Sequence, residues 1–299
     1  MCDMFSREPS NRVVENDARQ ELPRALHHGR SPGNMKAIWI NDIHLEFLND
    51  RQTSRFLGDL NDRDADCILV GGDIAQAPSV TGYLMQMETA LCRPIYFVLG
   101  NHDFYHGSVA DVRTRIRDLT RVSRGLHWLN ESGVTKLAEK TILVGHDGWG
   151  DGRLGDFHKS HVQLNDFLLI QELADLSRSD LLREIRVLGD EAAAHFRAVL
   201  PEALLLAEHT VVLTHVPPFL QAAWHDGKPC DSDWLPFFAC KAAGDVLEDA
   251  MRKHPEKRMT VLCGHTHGGG TAQILPNLIT YTGPARYGHP VVQDVFVWG

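Results

Sequence analysis

The sequence contains no pair of cysteines at the spacing of a zinc knuckle or a thioredoxin-type motif. Its six cysteines occupy positions 2, 67, 92, 230, 240 and 263, and no two of them form a Cys-x-x-Cys pair. Cys67, Cys92 and Cys263 lie in or beside apolar runs, where a free cysteine packs as a small apolar residue. This usage argues against a thiolate metal site and fits a reducing compartment.

Long apolar runs and clusters of basic residues are also missing. No run reaches the length that crosses a membrane, and the N-terminus lacks the apolar core of a signal peptide. The 30 Lys and Arg residues against 39 Asp and Glu give a formal net charge of −9. Proteins that bind nucleic acid mainly by neutralising phosphates are usually basic. We therefore expect a soluble cytoplasmic protein without a membrane partner, and nucleic acid is a disfavoured substrate.

Histidine, by contrast, is frequent. There are 17 histidines among the 299 residues, and several stand beside Asp, Asn or Gly. Imidazole binds metal ions and exchanges protons near neutral pH. This composition therefore favours metal or acid–base chemistry, while the sequence gives no indication of the oligomeric state.

Strand-like and helix-like patterns alternate in the first part of the chain. Apolar runs at 36–40, 67–70 and 94–98 predict three strands, and the stretches at 53–63 and 80–91 between them predict helices. This order is typical of right-handed crossovers and a mainly parallel sheet. The sequence therefore predicts an α/β fold.

Further strands are predicted at 141–144, 210–213 and 259–263. Three short apolar runs follow near the C-terminus, and we expect them to form antiparallel strands that complete a second sheet. They are residues 273–275, 278–281 and 291–298.

The domain organisation follows from composition. Residues 1–34 carry mixed charges without sustained periodicity, so we expect a flexible tail. Residues 35–299 are predicted to form a single domain. A mostly helical stretch at about 158–208 is interpreted as a helical insertion in that domain, because no linker separates it from the flanking strands.

Polar side chains that can bind a metal ion follow five of the predicted strands. They are Asp42 and His44, Asp73, Asn101 and His102, His215, and His265 and His267. Ligand sites of open α/β sheets lie at these carboxyl ends of strands. The two-residue spacing within Asp42/His44 and His265/His267, on extended backbone, directs both side chains to one side. Each of these pairs can therefore hold one ion.

The kinds of ligand limit the choice of metal. Apart from His102, the set offers two carboxylates, one amide oxygen and four imidazoles, which suits Mn²⁺, Fe²⁺ or Fe³⁺, Zn²⁺ or Co²⁺. Seven ligands exceed the needs of one tetrahedral ion and suit two ions that share a carboxylate. Asp73 stands alone after a central strand and is the natural bridge. Two ions roughly 3.5–4 Å apart can hold a hydroxide between them and bind a phosphoryl group.

The ordered motifs resemble those of the calcineurin-like metallophosphoesterases. The chain carries, in order, Asp-x-His at 42–44, Gly-Asp at 72–73, Gly-Asn-His-Asp at 100–103, a single His at 215 and Gly-His-x-His at 264–267. These motifs span most of the chain. The resemblance implies a four-layer α/β/β/α sandwich with two central mixed sheets.

The resemblance also implies the ligand sets. One ion would be held by Asp42, His44 and His267, the other by Asn101, His215 and His265, and Asp73 would contribute to both. His102 would lie over the site and face the substrate, with Asn101 also in contact with it. His146 follows a strand as well and competes with His215, but the Thr-His-x-Pro-Pro pattern around His215 looks like that of the family.

The function expected from this set is hydrolysis of a phosphomonoester or phosphodiester. A metal-bridging hydroxide would attack phosphorus, with Asp73 and His102 as the catalytic residues. His102 would protonate the leaving oxygen, and Asp103 could hydrogen-bond its ring. Trp149, in a glycine-rich loop after a strand, is predicted to contact the substrate.

A small phosphorylated metabolite, a nucleotide or a phosphodiester is the expected substrate. Two other functions are open. A catalytically silent scaffold of the same fold should lack a ligand or the catalytic histidine, and none is missing here. A nuclease would usually bring further domains or a basic groove, and neither is evident in the sequence.

Overall fold

The computed structural model describes residues 34–225 and 227–299. The predicted flexible tail, residues 1–34, lies outside the described residues except for its last position. The single domain predicted for residues 35–299 stays a prediction. Among the described residues, no helix is both long enough and apolar enough to span a bilayer.

The described residues form thirteen strands and eight α-helices. The strands are β1 (Met35–Ile40), β2 (Cys67–Gly71), β3 (Ile95–Val98), β4 (Leu126–Trp128), β5 (Thr135–Lys136), β6 (Thr141–His146), β7 (His209–Thr214), β8 (Trp224–His225), β9 (Lys228–Pro229), β10 (Arg258–Cys263), β11 (Gly270–Leu275), β12 (Leu278–Thr282) and β13 (Asp294–Trp298). The helices are α1 (Asp50–Asn61), α2 (Val80–Leu91), α3 (Val109–Val122), α4 (Leu129–Ser132), α5 (Asp166–Leu169), α6 (Arg178–Leu206), α7 (Leu235–Phe238) and α8 (Lys241–Lys253).

Two mixed sheets contain most of the strands. The first has the order β13-β1-β2-β3-β4, in which β1 to β4 are parallel and β13 is antiparallel. The second has the order β11-β12-β10-β7-β6-β5, with a parallel centre and an antiparallel strand at each edge. The predicted α/β fold with two central mixed sheets is confirmed.

The two sheets face each other across an apolar layer, and helices cover their outer faces. Successive side chains of a strand point to opposite faces. Trp39 and Leu69 of the first sheet therefore share a core with Leu213 of the second, while Ile38 and Val70 face the helices. The outer layer of the first sheet is formed by α1, α2 and α3, and that of the second by α6 and α8. This layering matches the predicted sandwich.

The helical stretch predicted at about 158–208 contains α5 and the 29-residue helix α6. Ser177 caps the start of α6 by accepting a hydrogen bond from the backbone N–H of Asp180. Ile185 and Phe196 lie on the buried face of α6 and are part of the apolar core. This stretch therefore supplies part of a helical layer.

The C-terminal strands differ from the prediction. We expected all three to complete the second sheet as antiparallel strands, but β12 runs parallel to β10 and β13 pairs with β1 of the first sheet. An unpaired β1 would expose its backbone hydrogen-bonding groups at the sheet edge, and β13 satisfies them. The local pattern identified the strands but carried no information about their partners. As a result, residues 283–293 cross from one sheet to the other.

Candidate metal centre

The predicted ligands meet where strands of both sheets end. Asp42 and His44 follow β1, Asp73 follows β2, and Asn101 follows β3. His215, His265 and His267 follow β7 and β10 of the second sheet. Because parallel strands present their carboxyl ends at one edge, these side chains converge.

Five of the predicted ligand residues adopt a left-handed backbone conformation. They are Asp42 (φ 48°), His44 (φ 41°), Asp73 (φ 50°), His265 (φ 70°) and His267 (φ 55°). This conformation is uncommon for residues other than glycine and costs roughly 1–2 kcal/mol each. The chain thus turns at each ligand, and the extended backbone assumed for the two-residue spacing is wrong. The pairs converge because of these turns.

Glycines before the ligands make room for the carboxylates. A Cβ atom on Gly100 would lie 2.1 Å from Oδ1 of Asp73, and one on Gly264 would lie 2.0 Å from Oδ2 of Asp42. Both distances are far below van der Waals contact. The Gly-Asn and Gly-His steps of the motifs are therefore packing requirements of the centre itself.

The first donor group consists of Asp42, His44, Asp73 and His267. One ligand atom from each lies within 4.8 Å of the others. Nε2 of His44 is 3.2 Å from Nε2 of His267 and 3.6 Å from Oδ2 of Asp73. Nε2 of His267 is 3.6 Å from Oδ1 of Asp42. Three of these four side chains are buried.

The second donor group consists of Asn101, His215 and His265 together with Asp73. Oδ1 of Asn101 is 3.1 Å from Nε2 of His215 and 3.0 Å from Nδ1 of His265. Nε2 of His215 is 3.5 Å from Oδ1 of Asp73. Asp73 therefore directs one carboxylate oxygen toward each donor group.

Backbone carbonyls orient two of the imidazoles. Nδ1 of His215 is 2.9 Å from the carbonyl oxygen of Gly71, and Nε2 of His265 is 3.1 Å from that of Phe237. A carbonyl only accepts, so these ring nitrogens must donate. The other nitrogen of each ring then presents a lone pair to the centre, as metal-binding histidines do.

The electrostatics of the centre fit cations. Burial lowers the pKa of His215 to about 3 and that of His265 to about 4, so both rings are neutral donors at pH 7. Burial, with Asp42 and Asp103 nearby, raises the pKa of Asp73 well above its usual range. A buried set of facing lone pairs and clustered carboxylates is stabilised by cations, and its mixed nitrogen and oxygen atoms suit transition ions. The residues therefore fit a two-ion site.

His102 lies at the mouth of the centre and belongs to neither donor group. Its backbone N–H donates to Oδ1 of Asp73 at 2.9 Å, and its ring stacks on Tyr105 at 4.1 Å between centroids. Nε2 of His102 is 3.4 Å from the hydroxyl of Tyr287. Burial and then His44 lower the pKa of His102 to about 2.

Asp103 does not hydrogen-bond the ring of His102. Its carboxylate accepts backbone N–H groups of Ile74 at 3.0 Å, Ala75 at 2.9 Å and Gly100 at 2.8 Å. It thereby ties the chain after β2 to the chain after β3. The expected hydrogen bond is not formed because the carboxylate of Asp103 is directed toward these three backbone N–H groups instead.

Asp166 and Tyr105 orient the amide of Asn101, and sequence reasoning missed both. Nδ2 of Asn101 donates to Oδ1 of Asp166 at 2.8 Å and to the hydroxyl of Tyr105 at 3.2 Å. The Tyr105 hydroxyl also donates to Oδ1 of Asp166 at 2.6 Å. Asp166 is 3% exposed. It comes from α5, far from the motifs along the chain, and no spacing pattern indicated it.

An open cleft of about 280 Å³ leads to the centre. Besides donor residues it is lined by Tyr105, Leu164, Phe238 and Tyr287. Trp149 does not line it. This side chain is 4% exposed and packs against Phe104 in the core at 5.8 Å between ring centroids. That placement argues against the predicted contact of Trp149 with substrate.

The structure brings His215 to the centre and leaves His146 outside both donor groups. His146 is buried beside His195, with 5.2 Å between the ring centroids. Its Nδ1 accepts the backbone N–H of Gly148 at 3.1 Å. His146 thus stabilises the loop after β6.

Comparisons with known proteins agree with this geometry. The model of the calcineurin-like phosphoesterase family matches residues 35–269. No match was found among curated proteins. The fold is similar to that of phosphopantetheinyl hydrolase from Mycobacterium tuberculosis, with a TM-score of 0.60, 15% identity, and coverage of 84% of this chain and 89% of the other. It is also similar to a dimetal phosphatase from Danio rerio, with a TM-score of 0.52, 13% identity, and coverage of 84% and 87%.

Proposed function

The chain belongs to the calcineurin-like phosphoesterase family, and we propose that it hydrolyses a phosphomonoester or phosphodiester with two bound metal ions. The observation that carries this proposal is the pair of donor groups joined by the carboxylate of Asp73. Every predicted ligand side chain lies in one of these two donor groups.

Each donor group would hold one metal ion. Asp42, His44 and His267 would hold one ion, and Asn101, His215 and His265 the other. Asp73 would contribute to holding both ions. The donor atoms suit Mn²⁺, iron, Zn²⁺ or Co²⁺. Two such ions would supply an activated water and neutralise charge on the phosphoryl oxygens.

His102 is proposed as the general acid. Its backbone hydrogen bond to Asp73 and its stacking on Tyr105 fix the ring beside the donor groups. The ring is neutral in the free protein, since its pKa is lowered to about 2. A phosphate anion against the ring stabilises the protonated form, so the proton is available when substrate is bound.

The role of His102 depends on the leaving group. We expect His102→Ala to keep its metal content and to lose roughly 10²- to 10⁴-fold in kcat on alkyl or nucleoside esters. The loss on p-nitrophenyl esters should be far smaller, because p-nitrophenolate leaves without a proton. Equal losses on both would indicate phosphate binding instead, and a loss of metal would make His102 a ligand.

The proposed function is tested by metal analysis together with hydrolysis of bis-p-nitrophenyl phosphate and p-nitrophenyl phosphate. We expect two ions per chain and hydrolysis of at least one ester. Asp73→Asn should lower the affinity of the protein for both ions and abolish hydrolysis. The control Asp118→Asn removes an exposed carboxylate of α3 and should behave as the wild type. Hydrolysis that survives both chelation and Asp73→Asn would overturn the proposal.

The two esters also separate a diesterase from a monoesterase. A small phosphorylated metabolite, a nucleotide or a phosphodiester remains the proposed substrate, and phosphopantetheinyl esters join the panel because of the relative of that name. A cytoplasmic location stays a prediction.

A further inference from the structure

Two exposed aromatic rings border the metal centre. Phe47 and Tyr287 pack against each other with 4.9 Å between their centroids, and we call this pair the aromatic shelf. Phe47 is 51% exposed and Tyr287 is 45% exposed. Tyr287 lines the cleft, and large apolar side chains left exposed beside a cleft are typical of ligand contact.

The shelf is continuous with the donor residues. The ring of Tyr287 lies 4.6 Å from that of His44 and 4.8 Å from that of His267, measured between centroids. Its hydroxyl is 3.4 Å from Nε2 of His102. Phe47 follows His44 by three residues and lies 6.1 Å from its ring. The shelf is therefore within reach of the organic part of an ester whose phosphate occupies the centre.

The backbone around Tyr287 is held in place. The N–H of Ala285 donates to the carbonyl of His267 at 3.2 Å, and the N–H of His289 donates to that of Arg286 at 3.0 Å. The side chain of Gln293 donates to the carbonyl of Pro284 at 2.8 Å. The bond from Ala285 ties the crossing segment 283–293 to the centre, and the other two hold the segment together internally. The segment lies beyond the residues that match the family model, whereas Phe47 lies within them.

The rest of the cleft favours an uncharged group. In the part of the chain that the structure describes, the residues lining the cleft include no Lys or Arg. Leu164, Phe238 and Tyr105 supply apolar and aromatic surface instead. A second anionic group on the substrate would find no Lys or Arg in this lining.

We propose that the aromatic shelf binds a flat, uncharged group of the substrate, such as an aryl ring or a nucleobase. The substrate class is then an ester with one phosphate and an aromatic organic part. This proposal rests on the proposed function for the position of the phosphate. Aromatic rings prefer offset stacking or edge contacts with one another, which the open faces of the shelf allow.

The test compares two ligands of equal charge that differ by one ring. Phenylphosphonate and methylphosphonate are titrated calorimetrically into the metal-loaded protein, so that binding is measured without any hydrolysis. We expect the wild type to bind phenylphosphonate about tenfold more tightly. Tyr287→Ala and Phe47→Ala should each lose most of this preference, whereas Tyr287→Phe, which keeps the ring, should retain it.

Matched controls make the outcome decisive. Met85→Ala removes an exposed apolar side chain of α2 outside the cleft and should leave both affinities unchanged. Circular dichroism identifies any variant that does not fold, and the two shelf positions are independent tests. A wild type without preference for phenylphosphonate, or a preference unchanged in both alanine variants, would overturn the shelf. Binding of phenylphosphonate by a protein that hydrolyses no ester would overturn the proposed function alone.

Discussion

Two side chains outside both donor groups determine which end of the Asn101 amide faces the centre. An amide has an oxygen at one end and an NH₂ group at the other, and only the oxygen can face a cation. Asp166 and Tyr105 hold the NH₂ group of Asn101. The oxygen is therefore left facing His215 and His265.

We predict that Asp166→Ala lowers the affinity for the ion that Asn101, His215 and His265 would hold. Without its acceptor the amide of Asn101 can rotate, and losses of about 10- to 100-fold in metal affinity are typical when such outer hydrogen bonds are removed. The other ion should be retained. Metal content after dialysis against buffers of defined free metal concentration measures both affinities.

Asp166→Asn is the matched control for this prediction. The asparagine keeps a carbonyl oxygen that can accept a hydrogen bond from Asn101. This variant should therefore retain more of the ion in the second donor group than Asp166→Ala does. If both variants bind two ions with wild-type affinity, Asp166 does not orient Asn101. If both ions are lost together, its role is structural.

At the scale of secondary-structure elements, the centre depends on how the strands end. β1, β2 and β10 each lead into a left-handed turn that carries a predicted ligand. Gly100 and Gly264 directly precede ligands after β3 and β10. Because a Cβ atom at either glycine would overlap a carboxylate, strand ends and ligands are packed as one unit.

We predict that Gly264→Ala displaces Asp42 and lowers affinity for the ion in the first donor group. The added Cβ would lie 2.0 Å from Oδ2 of Asp42, so the carboxylate or the backbone must move. Overpacking of this kind costs roughly 1–3 kcal/mol, and the melting temperature should fall. Metal content and thermal unfolding measure the two effects.

Gly58→Ala is the matched control, since this glycine lies in α1 with open space where a Cβ would be added. Here alanine should stabilise the helix by about 0.4–1 kcal/mol and leave the metal content unchanged. A Gly264→Ala variant with wild-type metal affinity and melting temperature would contradict the close packing of this strand end.

The elements also show what the sequence could and could not predict. The helix at 80–91 has the predicted bounds, because its pattern is local. The partner of β13 was predicted wrongly, because sheet pairing depends on residues far apart in sequence.

The same distinction applies at the centre. The side chains that the ordered motifs carry lie close together in the two donor groups, and their role as metal ligands stays a prediction. Asp166 and Tyr287 were missed, since each reaches the centre from a segment without a motif. Trp149 was expected in the cleft because its loop follows a strand, yet its ring is buried in the core.

For the molecule as a whole, burial of neutral histidines couples folding to pH. His209, at the start of β7, belongs to neither donor group, and its Nε2 is 2.9 Å from Oγ1 of Thr260. Burial, and then the charge of Arg258, lowers the pKa of His209 to about 4. His146 is also buried, and its pKa is lowered well below the usual range. These rings stay neutral in the folded protein when they would be protonated in the unfolded chain.

We therefore predict that the free energy of unfolding falls as the pH decreases from about 6.5 toward 4. In this window the unfolded chain binds more protons than the folded protein, so stability rises with pH and is lost on acidification. At pH 5 the part due to His209 is about 1–2 kcal/mol, after allowance for its partial exposure. His209→Gln keeps a side chain that can bond to Thr260 but cannot titrate. Urea unfolding at pH 7 and pH 5, with wild type and variant at equal metal content, should show a smaller loss in the variant. An equal loss in both proteins would mean that His209 is protonated in the folded state as readily as in the unfolded chain, and that its burial does not contribute to acid sensitivity.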